Sequence, residues 1–178
     1  LHRVDRRHRQ MCIRDRLLSY LTKNHTDVFC ATPTLYQMLA LIAKDGAFSV
    51  KVGVLSGEVL TSRAGENIRK AFPATAFYNV YGLTEHSPRV SALLPEDFSR
   101  KPGSVGKAIG DVRLKIIDGE LMVKSASVMR GYYPDEGETR KKLSDGWLHT
   151  GDRAHFDSEG YLYIDGRKDG MLIKAGIN

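Results

Sequence analysis

Three short apolar runs, each leading into a different kind of local pattern, constrain the fold of this 178-residue chain more than any other feature. Asp27-Val28-Phe29-Cys30-Ala31, Val50-Lys51-Val52-Gly53-Val54-Leu55 and residues 75–80 have strand length and are bounded by polar or glycine-containing turns. After the first, Thr32 can cap a helix that has Pro33 at its first position, and Leu35, Met38, Leu39 and Ile42 recur at helical spacing. After the second, Ser56-Gly57-Glu58 turns the chain into a helix over about residues 62–72, with Ile68 and Phe72 as core contacts. Leu17, Leu18, Tyr20 and Leu21 read as the end of an earlier helix. Strands alternating with helices predict an α/β fold in which a parallel sheet is covered by helices.

Near Pro102 the rhythm changes. Gly103, Gly106 and Gly110 punctuate a loop, after which residues 112–117 and 120–123 alternate around Asp118-Gly119, a hairpin signal. A short helix over about 138–143 and strands around 147–149, 153–156 and 161–164 complete the pattern, with Ser158-Glu159-Gly160 turning between the last two. The expected organisation is an α/β part over 17–100 and a small antiparallel, barrel-like β subdomain over 101–166.

Composition narrows the class. Hydrophobic residues make up 42 %, but no apolar run approaches the ~18 residues of a membrane span, so a soluble globular chain is expected. Cys12 and Cys30 have no metal or redox spacing, which points to a reduced, cytoplasmic setting. Of the net charge of +6, two thirds lies in residues 1–16, where six arginines face two aspartates. Such a segment can act as a nucleic-acid-binding arm, which would make the chain a non-catalytic binding module. Its sequence from Val4 to Arg16 also resembles read-through of a cloning adaptor, so it is set aside as non-native and no nucleic-acid partner is expected.

The third apolar run ends in Tyr78-Asn79-Val80-Tyr81-Gly82-Leu83-Thr84-Glu85. Gly82 lets the loop turn and lets backbone approach closely. An amide, an aromatic face, a hydroxyl and a carboxylate thus gather at the carboxyl end of a strand, the edge where α/β sheets dock ligands. An aromatic can stack on a base, an amide can read its edge, a hydroxyl can meet phosphate and a carboxylate can hold Mg²⁺. The competing reading is a polar loop with one core tyrosine.

Five separated stretches resemble the adenylate-forming superfamily of acyl-CoA synthetases, luciferases and peptide-synthetase adenylation domains. Tyr81-Gly82-Leu83-Thr84-Glu85 matches its aromatic-Gly-x-Thr-Glu signature. The resemblance implies that Tyr81 stacks on adenine, Asn79 contacts its amino group, Thr84 touches the α-phosphate and Glu85 binds Mg²⁺. Ser56-Gly57-Glu58 stands where the family has Gly-Gly-Glu, so Gly57 and Glu58 are expected to line the adenine pocket, with Ser56 departing from the commoner glycine. Gly131-Tyr132-Tyr133-Pro134, following Glu120-Leu121-Met122, matches a family stretch in which Tyr132 and Tyr133 are expected only to supply packing area. Gly146-Trp147-Leu148-His149-Thr150-Gly151-Asp152 matches Gly-Trp-x-x-Thr-Gly-Asp, which implies that Asp152 takes both ribose hydroxyls; His149 stands where many relatives carry Arg. Gly166-Arg167-Lys168-Asp169 resembles the connection to a C-terminal lid, over 167–178 here. There Arg167 reaches ribose or phosphate, Asp169 is the hinge and Lys174 contributes to the thioester-forming conformation.

The resemblance further implies ATP or AMP, Mg²⁺ and a small-molecule carboxylic acid as ligands, with CoA as acceptor. A carrier-protein pantetheine thiol, as in peptide synthetases, is the alternative acceptor. The family's phosphate loop would lie upstream of residue 17 and its adenylation lysine downstream of Asn178, so the chain reads as a fragment that is inactive by itself.

Overall fold

The computed structural model describes residues 16–17, 19–42 and 49–168. Residues 1–15 of the basic segment, the expected hinge residue Asp169 and Lys174 lie outside the described residues. Three parallel strands form the first half: β1 (Val28–Ala31), β2 (Val52–Ser56) and β3 (Ala76–Gly82). Helices α1 (Pro33–Ile42) and α2 (Ser62–Ala71) cross between them and pack on each other. Each begins on a threonine: the Thr32 hydroxyl accepts from Leu35 N–H at 3.4 Å, and the Thr61 hydroxyl from Ala64 N–H at 3.2 Å. Arg69 and Lys70 in the last turn of α2 suit the negative end of its dipole.

The buried face of α1 is rotated from the expected stripe. Tyr36 and Leu39 are fully buried, whereas Met38 is 37 % exposed. Tyr36 takes the inner position because its ring meets Phe29, Phe72 and Phe77 edge to face, at centroid distances of 5.1–5.5 Å, while its hydroxyl donates to Phe29 O at 2.7 Å. Burying a ring of this size contributes about 1.5–3 kcal/mol, more than a thioether gains at the rim. With Leu55, Ile68, Leu93 and Phe98 these rings make the first core.

Beyond β3 the sheet turns antiparallel, which the sequence pattern did not reveal. β4 (Arg89–Leu93) returns beside β3 and β5 (Lys107–Ala108) edges it, giving the order β1-β2-β3-β4-β5. The second sheet is wholly antiparallel: β6 (Arg113–Ile117), β7 (Glu120–Lys124), β9 (Trp147–Phe156) and β10 (Leu162–Arg167) lie in the order β10-β9-β7-β6. The short β8 (Leu143–Ser144) pairs with β9, after helix α3 (Glu136–Lys142). Asp118 and Gly119, both at positive φ, close the β6–β7 hairpin as their dipeptide predicts.

Where the sequence predicts separate strands at 147–149 and 153–156, a single strand β9 runs through both. Thr150-Gly151-Asp152 is a bulge inside it, not a break: the β7 register jumps from Glu120↔Arg153 to Met122↔His149. Gly151, at φ +76°, supplies the left-handed residue the bulge needs. Leu121, Val123, Leu148, Ala154 and Leu162 form the second core, with Val90 from β4; Tyr81 and Leu83 pack against it from the end of β3. Expected packing from Tyr133 does not occur, since that ring is 99 % exposed.

A seam joins the two sheets. The Ser104 hydroxyl donates to Leu162 O at 2.8 Å, Val105 N–H to the same oxygen at 2.9 Å, and Leu162 N–H to Gly106 O at 2.8 Å. The Ser91 hydroxyl donates to Val105 O at 2.8 Å. Beside the seam Lys101, 8 % exposed, binds Asp157 at 2.6 Å and also Glu159, while Arg100 bridges Asp97 and Glu159. Among the described residues no helix is long and apolar enough to cross a membrane.

Candidate active site

The carboxyl ends of β1, β2 and β3 lie side by side, since Ala31 pairs with Leu55 and Ser56 with Val80. Thr32, Ser56-Gly57-Glu58 and Tyr81-Gly82 therefore share one edge. The bulge of β9 faces the last of these. The Tyr81 hydroxyl donates to Asp152 Oδ2 at 2.5 Å, and Arg167 Nη1 donates to Asp152 Oδ1 at 3.2 Å and to Thr150 O at 3.3 Å. Burial, and then the adjacent carboxylate, push the Tyr81 phenol well above its ordinary value, so it stays a proton donor. Asp152 is placed by its own strand: its N–H donates to the Thr150 hydroxyl at 3.0 Å, which donates to Leu121 O at 2.7 Å. Three residues expected to hold one nucleoside thus meet around a single buried carboxylate.

Asn79 is buried and its Nδ2 donates to Ser104 O at 2.7 Å. Among the described residues its Oδ1 takes no hydrogen bond, which leaves the acceptor that an amino group requires. Gly82 is needed for close approach and not for its φ, because a Cβ there would lie 1.6 Å from Pro88 O. Residues Thr84–His86 then form a 3-10 turn closed by Ser87 in the left-handed region. Thr84 is exposed, while His86 is buried with Nε2 2.7 Å from Ser125 Oγ. Desolvation holds the His86 imidazole below its usual pKa, hence neutral.

Glu85 is held from the β-rich half. Its carbonyl accepts from Met129 N–H at 2.8 Å and its Oε1 from the Tyr132 hydroxyl at 2.6 Å. Oε2 takes no hydrogen bond among the described residues. Glu58 behaves differently: Oε2 accepts from Thr34 N–H at 3.0 Å, at the start of α1, and Oε1 is buried and takes no hydrogen bond among the described residues. Its side chain is thus tied back to the helix, and only the Gly57-Glu58 backbone stands on the common edge.

Two residues of this neighbourhood escape sequence reasoning. Tyr132, expected only to pack, bonds the Glu85 carboxylate. Glu120 is buried, accepts from Gly151 N–H and Lys168 Nζ at 3.0 Å each, and so joins the bulge to the end of β10. Burial raises its pKa, but these two donors outweigh that and leave it below the usual value. Neither residue stands out by spacing; an acidic hairpin residue and one tyrosine of a pair carry no local signal.

Residues 3–133 match the family of AMP-binding enzymes. The chain is 36 % identical to a 2-succinylbenzoate–CoA ligase of Bacillus cytotoxicus, over 62 % of this chain and 24 % of that protein. It is 39 % identical to an indoleacetate–CoA ligase of Aromatoleum aromaticum, over 56 % of this chain and 22 % of that protein. Its fold superposes on o-succinylbenzoate coenzyme A synthetase from Bacillus subtilis, solved in complex with ATP and magnesium ion, with a TM-score of 0.76 and 28 % identity over 92 % of this chain and 36 % of that one. The same synthetase has also been solved with its acyl-adenylate intermediate. The chain spans about a quarter of the length of the two curated relatives.

Proposed function

Because this chain belongs to the family of AMP-binding enzymes, we propose that it forms the nucleotide-gripping part of an ATP-dependent ligase that activates a carboxylic acid as acyl-AMP and transfers the acyl group to CoA. In the first step a carboxylate oxygen attacks the α-phosphorus and pyrophosphate leaves. In the second, a thiol attacks the acyl carbon and AMP leaves. Nucleophile and leaving group are both anionic in the first step, so catalysis comes from positioning and charge neutralisation.

The bond between Tyr81 and Asp152 carries this reading, because it brings together two motifs 71 residues apart around one prospective nucleoside. The Tyr81 ring stacks on adenine and Asn79 Oδ1 accepts from its amino group. Gly57 and Glu58 contribute backbone to the pocket wall, and Gly82 keeps the turn close. Asp152 has lone pairs to spare on both oxygens for the ribose diol, and Arg167 braces that carboxylate from the other side. The Thr84 hydroxyl donates to the α-phosphate. Asp169 as hinge and Lys174 as a contributor to thioester formation belong to the same reading.

Glu85 suits Mg²⁺. Among the described residues no cluster of three or more His, Cys, Asp or Glu forms a ready-made cage. An ion that keeps several waters and takes substrate phosphates needs only one or two carboxylates, and Glu85 Oε2 is available. Mg²⁺ held there would supply charge neutralisation at the phosphates. The acyl substrate is a small-molecule carboxylic acid, in keeping with the ligases named above, and the exposed free thiol of Cys30 suits a reducing, cytoplasmic setting.

The test is AMP binding by calorimetry together with pyrophosphate exchange on the complete protein, and then thioester formation on free CoA. Asp152→Ala is expected to weaken AMP at least tenfold; unchanged affinity would remove the nucleoside site. Exchange without thioester on CoA would redirect the acceptor to a carrier-protein pantetheine.

A further inference from the structure

Building on the reading of Glu85 as the metal-binding carboxylate, we propose that Tyr132 is its positioning residue, holding one carboxylate oxygen so that the other is presented to a divalent cation bound with the nucleotide. The segment between β7 and α3 crosses to the 3-10 turn and meets it at three points. Ser125 Oγ lies 2.7 Å from His86 Nε2, Met129 N–H donates to Glu85 O at 2.8 Å, and the Tyr132 hydroxyl donates to Glu85 Oε1 at 2.6 Å. The first holds the His86 ring and the second the Glu85 backbone. Only the third acts on the carboxylate.

Tyr132 is itself anchored. Its N–H donates to the Thr139 hydroxyl at 2.8 Å, and that hydroxyl donates in turn to Asp135 O at 2.8 Å, so both capacities of the threonine are used. The ring is therefore aimed from α3, a different element from the one that carries Glu85. In that bond the phenol hydroxyl is the donor and the carboxylate oxygen the acceptor. A glutamate free to sample rotamers gives up side-chain entropy on binding an ion. Tyr132 removes part of that freedom in advance, which is preorganisation of a metal ligand by its outer partner. The adjacent Tyr133, 99 % exposed, provides an internal control.

ATP affinity of the complete protein, measured by calorimetry in EDTA and again in saturating Mg²⁺, gives the Mg²⁺-dependent gain for each variant. Tyr132→Phe is expected to cut that gain about 3- to 10-fold, the range of one net hydrogen bond, while affinity in EDTA stays at the wild-type value. Tyr133→Phe should alter neither number, and Tyr132→Phe added to Glu85→Gln should have no further effect. An undiminished gain in Tyr132→Phe, with Glu85→Gln abolishing it, would overturn the positioning role and leave Glu85 standing. Equal losses with and without Mg²⁺ would also overturn it, since they mark a merely structural tyrosine. Absence of any gain in the wild type would instead remove Glu85 as the metal ligand, and the proposal with it.

Discussion

The Tyr81 hydroxyl and the Asp152 carboxylate lie 2.5 Å apart, so the side chain assigned to the base and the one assigned to the sugar are directly coupled. Tyr81→Phe keeps the ring and removes the coupling. AMP affinity is expected to fall about 3- to 10-fold, as for one net hydrogen bond. The 2′,3′-dideoxy nucleotide, which offers Asp152 no diol, should lose much less. Calorimetry with both ligands on the complete protein checks this; equal losses would mean that the hydroxyl does not act through the ribose contact.

Gly82→Ala should be poorly tolerated. Its Cβ would fall 1.6 Å from Pro88 O, so the backbone on the two sides of the turn has to separate. The expected cost is about 1–3 kcal/mol, as for other overpacked sites, read as a lower denaturation midpoint. Thr84 and Glu85 ride on that turn, so Mg²⁺-dependent ATP affinity should drop as well.

Much of this arrangement is legible in the sequence because it is local. Thr32-Pro33, the Asp118-Gly119 hairpin and the three parallel strands each follow from short-range pattern, and the motif around Tyr81 announces its own chemistry. Strand β4 is not legible: Arg89-Val90-Ser91-Ala92-Leu93 is short, has weak strand formers at its centre and is specified by pairing with β3. The continuity of β9 is hidden for a related reason. Thr-Gly-Asp reads as a turn, and only the partner strand β7 converts it into a bulge. Tyr132 and Glu120 acquire their roles through contacts 47 and 31 residues away, to Glu85 and Gly151, which spacing along the chain cannot register.

Acid should weaken the junction beside the seam. A hydrogen bond from Lys101 holds the Asp157 carboxyl at about 2, below its ordinary 3.8, and Lys101 also lowers Glu159. A carboxyl depressed on folding contributes stability that is fully present above its unfolded value and is lost as pH falls through its folded value. For Asp157 the window runs from about pH 4 down to about pH 2. Thermal melts across that range should show a steeper fall in Tm for the wild type than for Asp157→Asn. Parallel curves would count against the ion pair.

Glu120→Ala leaves the Gly151 N–H without its acceptor and Lys168 without its partner. A buried donor left unsatisfied costs about 1–3 kcal/mol, and the loss should be local. Amide exchange at Gly151 and Asp152 is expected to accelerate more than exchange in α2, which lies in the other core. Uniform acceleration through both halves would show that Glu120 serves global stability alone.

The seam from Ser104 to Gly106 has a consequence for how this chain can be recombined. Its backbone and hydroxyls serve Asn79 and Ser91 on one side and Leu162 on the other, while Lys107–Ala108 closes the first sheet. A chimera that crosses over near residue 100, where composition shifts, would inherit its stitches from one parent and both fabrics' edges from two. Functional hybrids between relatives should therefore survive only when residues 79–108 and the strand around Leu162 travel together.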